Sequence, residues 1–133
     1  MAQSLLGTPN VANYTRDSYK GGLQNWAIAQ DSYRRLYVAN NEGLLIFDGT
    51  DWQKYPVPNG TILRSICFGQ EGKLYAGAQN ELGYFQPDAQ GSLRYVSLKA
   101  KLPQEVQDFA DVWEIEVLGN KVYFRTDKAI FEF

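Results

Sequence analysis

The residues able to do chemistry are few. The chain has 133 residues and no His, which removes the commonest general base and the commonest metal ligand. A His-dependent triad and an HExxH zinc site are therefore both excluded. Neither a GxxxxGK[ST] phosphate loop nor a GxGxxG turn occurs. Gly69–Gly72 lacks the Asp ladder of a calcium loop. The single Cys, Cys67, excludes an internal disulfide and reads as a small core residue in the strand pattern Ser65–Phe68. One acidic group, Asp108, Asp111, Glu114 and Glu116, has the residue type of a paired-carboxylate hydrolase. Its setting, a loop running into alternating strand positions, makes it a solvated face instead. No metal and no cofactor is called for.

Polar and aromatic residues at matched positions are better candidates. Asn25, Trp26, Arg64 and Trp113 head apolar segments, while Asn41 and Gln79 follow the Tyr-bearing ones. Trp and Arg beside side-chain amides suit a sugar or another small polar ligand. The plainer reading packs the Trp residues between sheets and closes turns with the amides. Arg64 aligns with two Trp residues yet is charged, so its surroundings must offer water, a carboxylate or a ligand. It is expected to face a shared central cavity.

These positions match because the chain repeats. Leu36-Tyr37, Leu74-Tyr75 and Val122-Tyr123 each precede a Phe ten residues after the Tyr: Phe47, Phe85 and Phe133. Trp26-Ala27-Ile28, Arg64-Ser65-Ile66 and Trp113-Glu114-Ile115 stand ahead of the three copies. The Tyr-to-Tyr periods are 38 (37 to 75) and 48 (75 to 123). The longer one places an insertion between Leu98 and Val112. A fixed period of this size is the mark of a repeat architecture.

Each copy divides into short strands. Asn25–Ala29, Leu36–Ala39, Leu44–Phe47 and an outer strand over Asp51–Val57 make the first. Asn40–Gly43 is a hairpin turn of the Asn/Gly type. Ile62–Phe68, Leu74–Ala78, Gly83–Gln86 and Leu93–Leu98 make the second. Val112–Val117, Lys121–Arg125 and Ala129–Phe133 make the third. Leu102–Phe109, opened by Pro103, reads as a helical turn. Val11–Thr15 reads as an outer strand with no sheet of its own. An Ala-Gln junction after Met1 would suit a mature terminus left by signal cleavage.

The fold class is all-β: about three β-propeller blades, each a four-stranded antiparallel sheet, in one domain over residues 1–133. The blades cover about 25–57, 62–98 and 112–133. Ile28, Tyr37, Phe47, Ile66, Tyr75, Phe85, Ile115, Tyr123 and Phe133 should be buried between them. A sandwich or a small barrel is the alternative. Three blades are too few to close a ring, so a partial propeller completed by oligomerisation is expected. Strand 11–15 of each chain would complete the third blade of the other in a homodimer.

Composition bounds the partners. With 13 basic and 15 acidic residues the net charge is -2, so a broad basic face for nucleic acid is not expected. No apolar run approaches 18 residues, so no membrane insertion by this chain is expected.

The ordered strings QNWAIAQDS, LYVANNEGLLIFDG, PNGTILRSI and LYAGAQNELGYF resemble the two-component regulator propeller repeat. They are similar to the N-terminal blades of Bacteroidetes-type signalling proteins that carry a propeller, then a triple-tyrosine domain. The resemblance covers about residues 13 to 133. It implies an extracytoplasmic, periplasmic sensor region whose membrane span and output (a histidine kinase or a helix-turn-helix regulator) lie outside this chain. The expected function is ligand sensing or interaction within a bacterial receptor, without catalysis, and with an oligosaccharide or other small polar ligand. The alternatives are a carbohydrate-active lyase or hydrolase and a purely structural scaffold.

Overall fold

The computed structural model describes residues 10–133. The Ala-Gln junction after Met1 lies outside the described residues. Short runs of β-branched and aromatic residues, cut by Gly- and Asn-containing turns, become eleven strands among the described residues. The first sheet holds β1 (Asn25–Gln30), β2 (Leu36–Asn40), β3 (Gly43–Phe47) and β4 (Trp52–Tyr55). The second holds β5 (Leu63–Phe68), β6 (Leu74–Ala78), β7 (Leu82–Pro87) and β8 (Leu93–Ser97). The third holds β9 (Val112–Leu118), β10 (Lys121–Thr126) and β11 (Ile130–Glu132). Within each sheet every strand pairs antiparallel with the next in sequence, the pattern of a propeller blade. Among the described residues no sheet closes into a barrel.

The blades stack face to face, and β5 packs against both β1 and β9. The first strands thus share the inner edge of the stack. Between blades one and two lie Tyr37, Ala39, Leu44 and Val57 against Leu63, Leu74, Ala76 and Phe85. Between blades two and three lie Leu82, Phe109, Val112, Ile115, Val122 and Phe124, with Tyr75 packed against them. Gly77 permits this second approach, because a Cβ there would collide with Val112 and Ser65.

The strand period explains which expected core residues are buried. Tyr37, Phe85 and Ile115 are buried, at 5%, 2% and 6% exposure. Phe47, Ile66, Tyr75, Tyr123 and Phe133 are half-buried. Ile28 departs from the expectation: it is 67% exposed. It pairs with Val38 on the face of blade one that looks away from blade two, whereas its neighbours Ala27 and Ala29 pack inward. Ile66 and Ile115 occupy the same repeat position but have a preceding blade to pack on.

Two further segments differ from expectation. Val11–Thr15 forms no strand; Thr15 stands at the start of a single helical turn, α1 (Arg16–Tyr19). Aromatic contacts fold this segment over the outer face of its own first blade. Tyr14 lies 5.0 Å from Phe47 and 5.7 Å from Trp52, and Tyr19 lies 5.9 Å from Trp52, between ring centres. The buried Asn40 side chain holds the chain down: its Oδ1 accepts from Gly22 N at 2.7 Å and its Nδ2 donates to Gly22 O at 3.1 Å. The insertion between blades two and three forms 3-10 turns at Lys99–Lys101 and Gln104–Val106 rather than one helical turn over Leu102–Phe109.

Candidate functional site

Each blade carries one irregularity in the register of its first strand. Pairing slips between Asn25 and Ala27, between Leu63 and Ser65, and between Val112 and Glu114. The residues at the three slips are Trp26, Arg64 and Trp113. A bulge takes a residue out of the ladder and re-aims its side chain. Three equivalent bulges here aim three side chains at one point on the inner edge.

Arg64 is the middle of that group. Its guanidinium carbon lies 4.1 Å from the ring centre of Trp26 and 4.8 Å from that of Trp113. The two indoles meet edge-on, 6.3 Å apart. Arg64 Nε donates to Asp111 Oδ1 at 3.0 Å, with both side chains largely buried. Two π faces and a carboxylate therefore compensate a desolvated cation. One guanidinium nitrogen, Nη1, is buried without a hydrogen-bond partner among the described residues.

The sequence candidates separate in three ways. Trp26, Arg64 and Trp113 are brought together, and Asn41 joins them by accepting from Trp26 Nε1 at 2.8 Å. Gln79 sits beside the group, because its backbone bridges that of Asp111. Its side chain accepts from Thr61 instead, at 3.1 Å. Asn25 turns away to accept from Asn40 Nδ2 at 2.7 Å. The residue that sequence reasoning missed is Asp111, which had been grouped with an acidic face. The structure disperses that group: Asp111 pairs with Arg64, while Glu114 pairs with Arg125. The need of a charged Arg for a carboxylate was the signal that could have found it.

The two indoles and Asp111 flank the Arg64 guanidinium at the inner edge. A cleft of about 790 Å³ opens at the other end of the strands, between blades one and two. Its walls are the turns β1–β2, β3–β4, β5–β6 and β7–β8. At its edge Asp31 receives four hydrogen bonds: from Tyr33 N, Arg35 N, Arg35 Nε and Tyr37 Oη, at 2.9, 2.9, 2.6 and 2.9 Å. Burial alone would raise the Asp31 carboxyl, but these bonds outweigh it and hold the group below its ordinary value of 3.8. The Tyr37 hydroxyl is pushed up to about 12, by burial first and by its bond to Asp31 second. No group of metal-ligating side chains assembles among the described residues.

Fold and site together define an all-β run of propeller-type blades with a cation–aromatic cluster on the inner edge. Among solved structures, the extracellular domain assigned to a one-component system of B. thetaiotaomicron superposes with a TM-score of 0.64 at 20% identity. The alignment covers 82% of this chain and 14% of that one, so the chain spans a small part of that domain's length. At this identity the likeness establishes the fold. No family model and no curated protein matches the chain.

Proposed function

We propose that the chain is a ligand-sensing or interaction module from the extracytoplasmic part of a bacterial signalling receptor, and that it performs no catalysis itself. The observation that carries this reading is the Trp26–Arg64–Trp113 cluster, with a guanidinium nitrogen left unpartnered. Such a group suits a polar ligand with an acceptor oxygen that displaces the edge of Trp26, itself 38% exposed. The likeness to an extracellular receptor domain supports the setting. No helix among the described residues is long and apolar enough to cross a membrane.

A carbohydrate-active enzyme is the weaker reading, because the acidic residues that would serve it are spread over different partners. The test is a thermal-shift screen of oligosaccharides, with product analysis of each mixture. Stabilisation without turnover supports a sensor, and product formation supports an enzyme. The ligand should also quench or shift the fluorescence of Trp26 and Trp113.

Homodimerisation by blade completion belongs to the same proposal. Residues 11–15 would leave Phe47 and Trp52 and add to the edge strand β11 of a second copy. Light scattering at low micromolar concentration should then show a dimer that is lost on deleting residues 1–15, and a monodisperse monomer rejects the arrangement.

A further inference from the structure

The cleft between blades one and two is separate from the Arg64 cluster, and its chemistry is different. Its volume, about 790 Å³, falls within the range of small-molecule sites, about 300–1,000 Å³. Ile46 and Phe68, both half-buried, form its floor, with Leu74 and Phe85 behind them. The polar groups nearest that floor are already committed to one another. Asp31 receives four hydrogen bonds, Arg35 is paired with it, and the Tyr55 hydroxyl donates to Gln53 Oε1 at 2.5 Å.

The rim is a different matter. Asp48 Oδ1 accepts from the backbone N–H groups of Thr50 and Asp51, and its second oxygen has no partner among the described residues. The Asp51 side chain makes no hydrogen bond among the described residues and is exposed. Four charged residues line the cleft: Asp31, Asp48 and Asp51 against Arg35. With Asp31 and Arg35 paired, Asp48 and Asp51 have no direct ion-pair partner among the described residues. Tyr33, 81% exposed, stands at the mouth with the Arg35 guanidinium already over its ring, 5.7 Å from the ring centre. An anion is disfavoured by the rim carboxylates, whereas a cation gains from them.

We infer that this cleft is a binding site for an amphiphilic cation, with an ammonium group at the Asp48–Asp51 rim and a hydrocarbon body on Ile46 and Phe68. This goes beyond the sensing role assigned to the Arg64 cluster and stands or falls without it.

The probe is hexylammonium, titrated into the isotope-labelled chain with backbone amide NMR as the readout. Hexanol and hexanoate serve as chain-matched controls. The amides of Tyr33, Thr50, Gly72 and Ser92 should shift saturably with hexylammonium, several-fold more weakly with hexanol, and not with hexanoate. Raising the salt should weaken the ammonium complex. Asp51→Asn, which breaks no hydrogen bond of the fold, should weaken it several-fold; Asp48→Asn, which keeps an acceptor for the turn, should do the same. Equal binding of hexanol and hexylammonium overturns the inference, as does undiminished binding to Asp51→Asn. Shifts confined to the residues around Arg64, or no saturable shift at all, also overturn it while leaving the sensing proposal to its own test.

Discussion

The two ends of the blade stack present the same structural element in opposite chemistry. The outer face of blade one carries Ile28, Val38, Leu45, Phe47 and Trp52, partly covered by Tyr14 and Tyr19. The outer face of blade three is mainly polar, with Glu114, Glu116, Lys121, Tyr123, Arg125 and Glu132, and leaves the apolar Leu118 and Ile130 61% and 66% exposed among them. There Arg125 meets Glu114 at 3.1 Å, Lys121 meets Glu132 at 3.7 Å, and the Tyr123 hydroxyl donates to Glu132 at 2.7 Å. Both faces lie where another blade would sit in a longer array. One end is covered in part by its own N-terminal segment and leaves Ile28 67% exposed. The other keeps paired charges in water around two exposed apolar side chains. In a repeat fold, then, a repeat position does not set burial; the neighbour on that side does.

This contrast can be sharpened by breaking the inside against the ends. The largest effect is expected at the interior. Phe85→Ala should cost about 3–5 kcal/mol in urea unfolding, because the ring is sealed between blades one and two. Phe47→Ala, its counterpart on the first end face, should cost less than half as much. Next comes the inner edge: Arg64→Ala should cost about 1.5–3 kcal/mol, since it leaves Asp111 largely buried without its partner. In the same denaturation experiment Asp111→Asn should recover part of that loss when combined with Arg64→Ala.

The pH dependence separates the cleft from the charged end. The folded-state value of Asp31 is lowered from 3.8, so its contribution is present above the unfolded value and is lost as pH falls through the lower folded value. Stability should therefore decline on acidification below about pH 4, and Asp31→Asn should flatten that limb in pH-dependent unfolding. The raised Tyr37 works in the opposite sense: its contribution is full below the ordinary value of 10.0 and is lost as pH rises through about 12. The smallest effect belongs to the charged end. Arg125→Ala should change stability by less than about 1 kcal/mol, because the pair it breaks is solvent-exposed, and added salt should shrink the difference further.

Much of the fold was legible because it is written in a period. The three Tyr-to-Phe spacings mark equivalent strand pairs, and alternation then says which residues share a face. What alternation cannot say is whether a blade stands beyond that face, and so Ile28 was misjudged while Ile115 was not. The site was legible in part. Trp26, Arg64 and Trp113 could be matched by position, but the bulges that converge them depend on strand pairing rather than on residue type. Asp111 lies 47 residues from Arg64 in the chain, across the insertion that breaks the period, so no local pattern ties the two together. The folding-back of residues 11–15 was hidden for a similar reason. Tyr14 can occupy a strand as readily as a lid, and only the uncovered rings of Phe47 and Trp52 decide between them.

The most direct test takes one residue type through one repeat position. Ile28→Ala, Ile66→Ala and Ile115→Ala remove the same atoms from equivalent sites, and their unfolding free energies can be compared in urea at low micromolar concentration. The account predicts a loss of about 2–5 kcal/mol at Ile115, an intermediate loss at the half-buried Ile66, and less than about 1 kcal/mol at Ile28. A loss at Ile28 as large as that at Ile115 would contradict it, by showing that another blade or a second copy covers the first end face in solution.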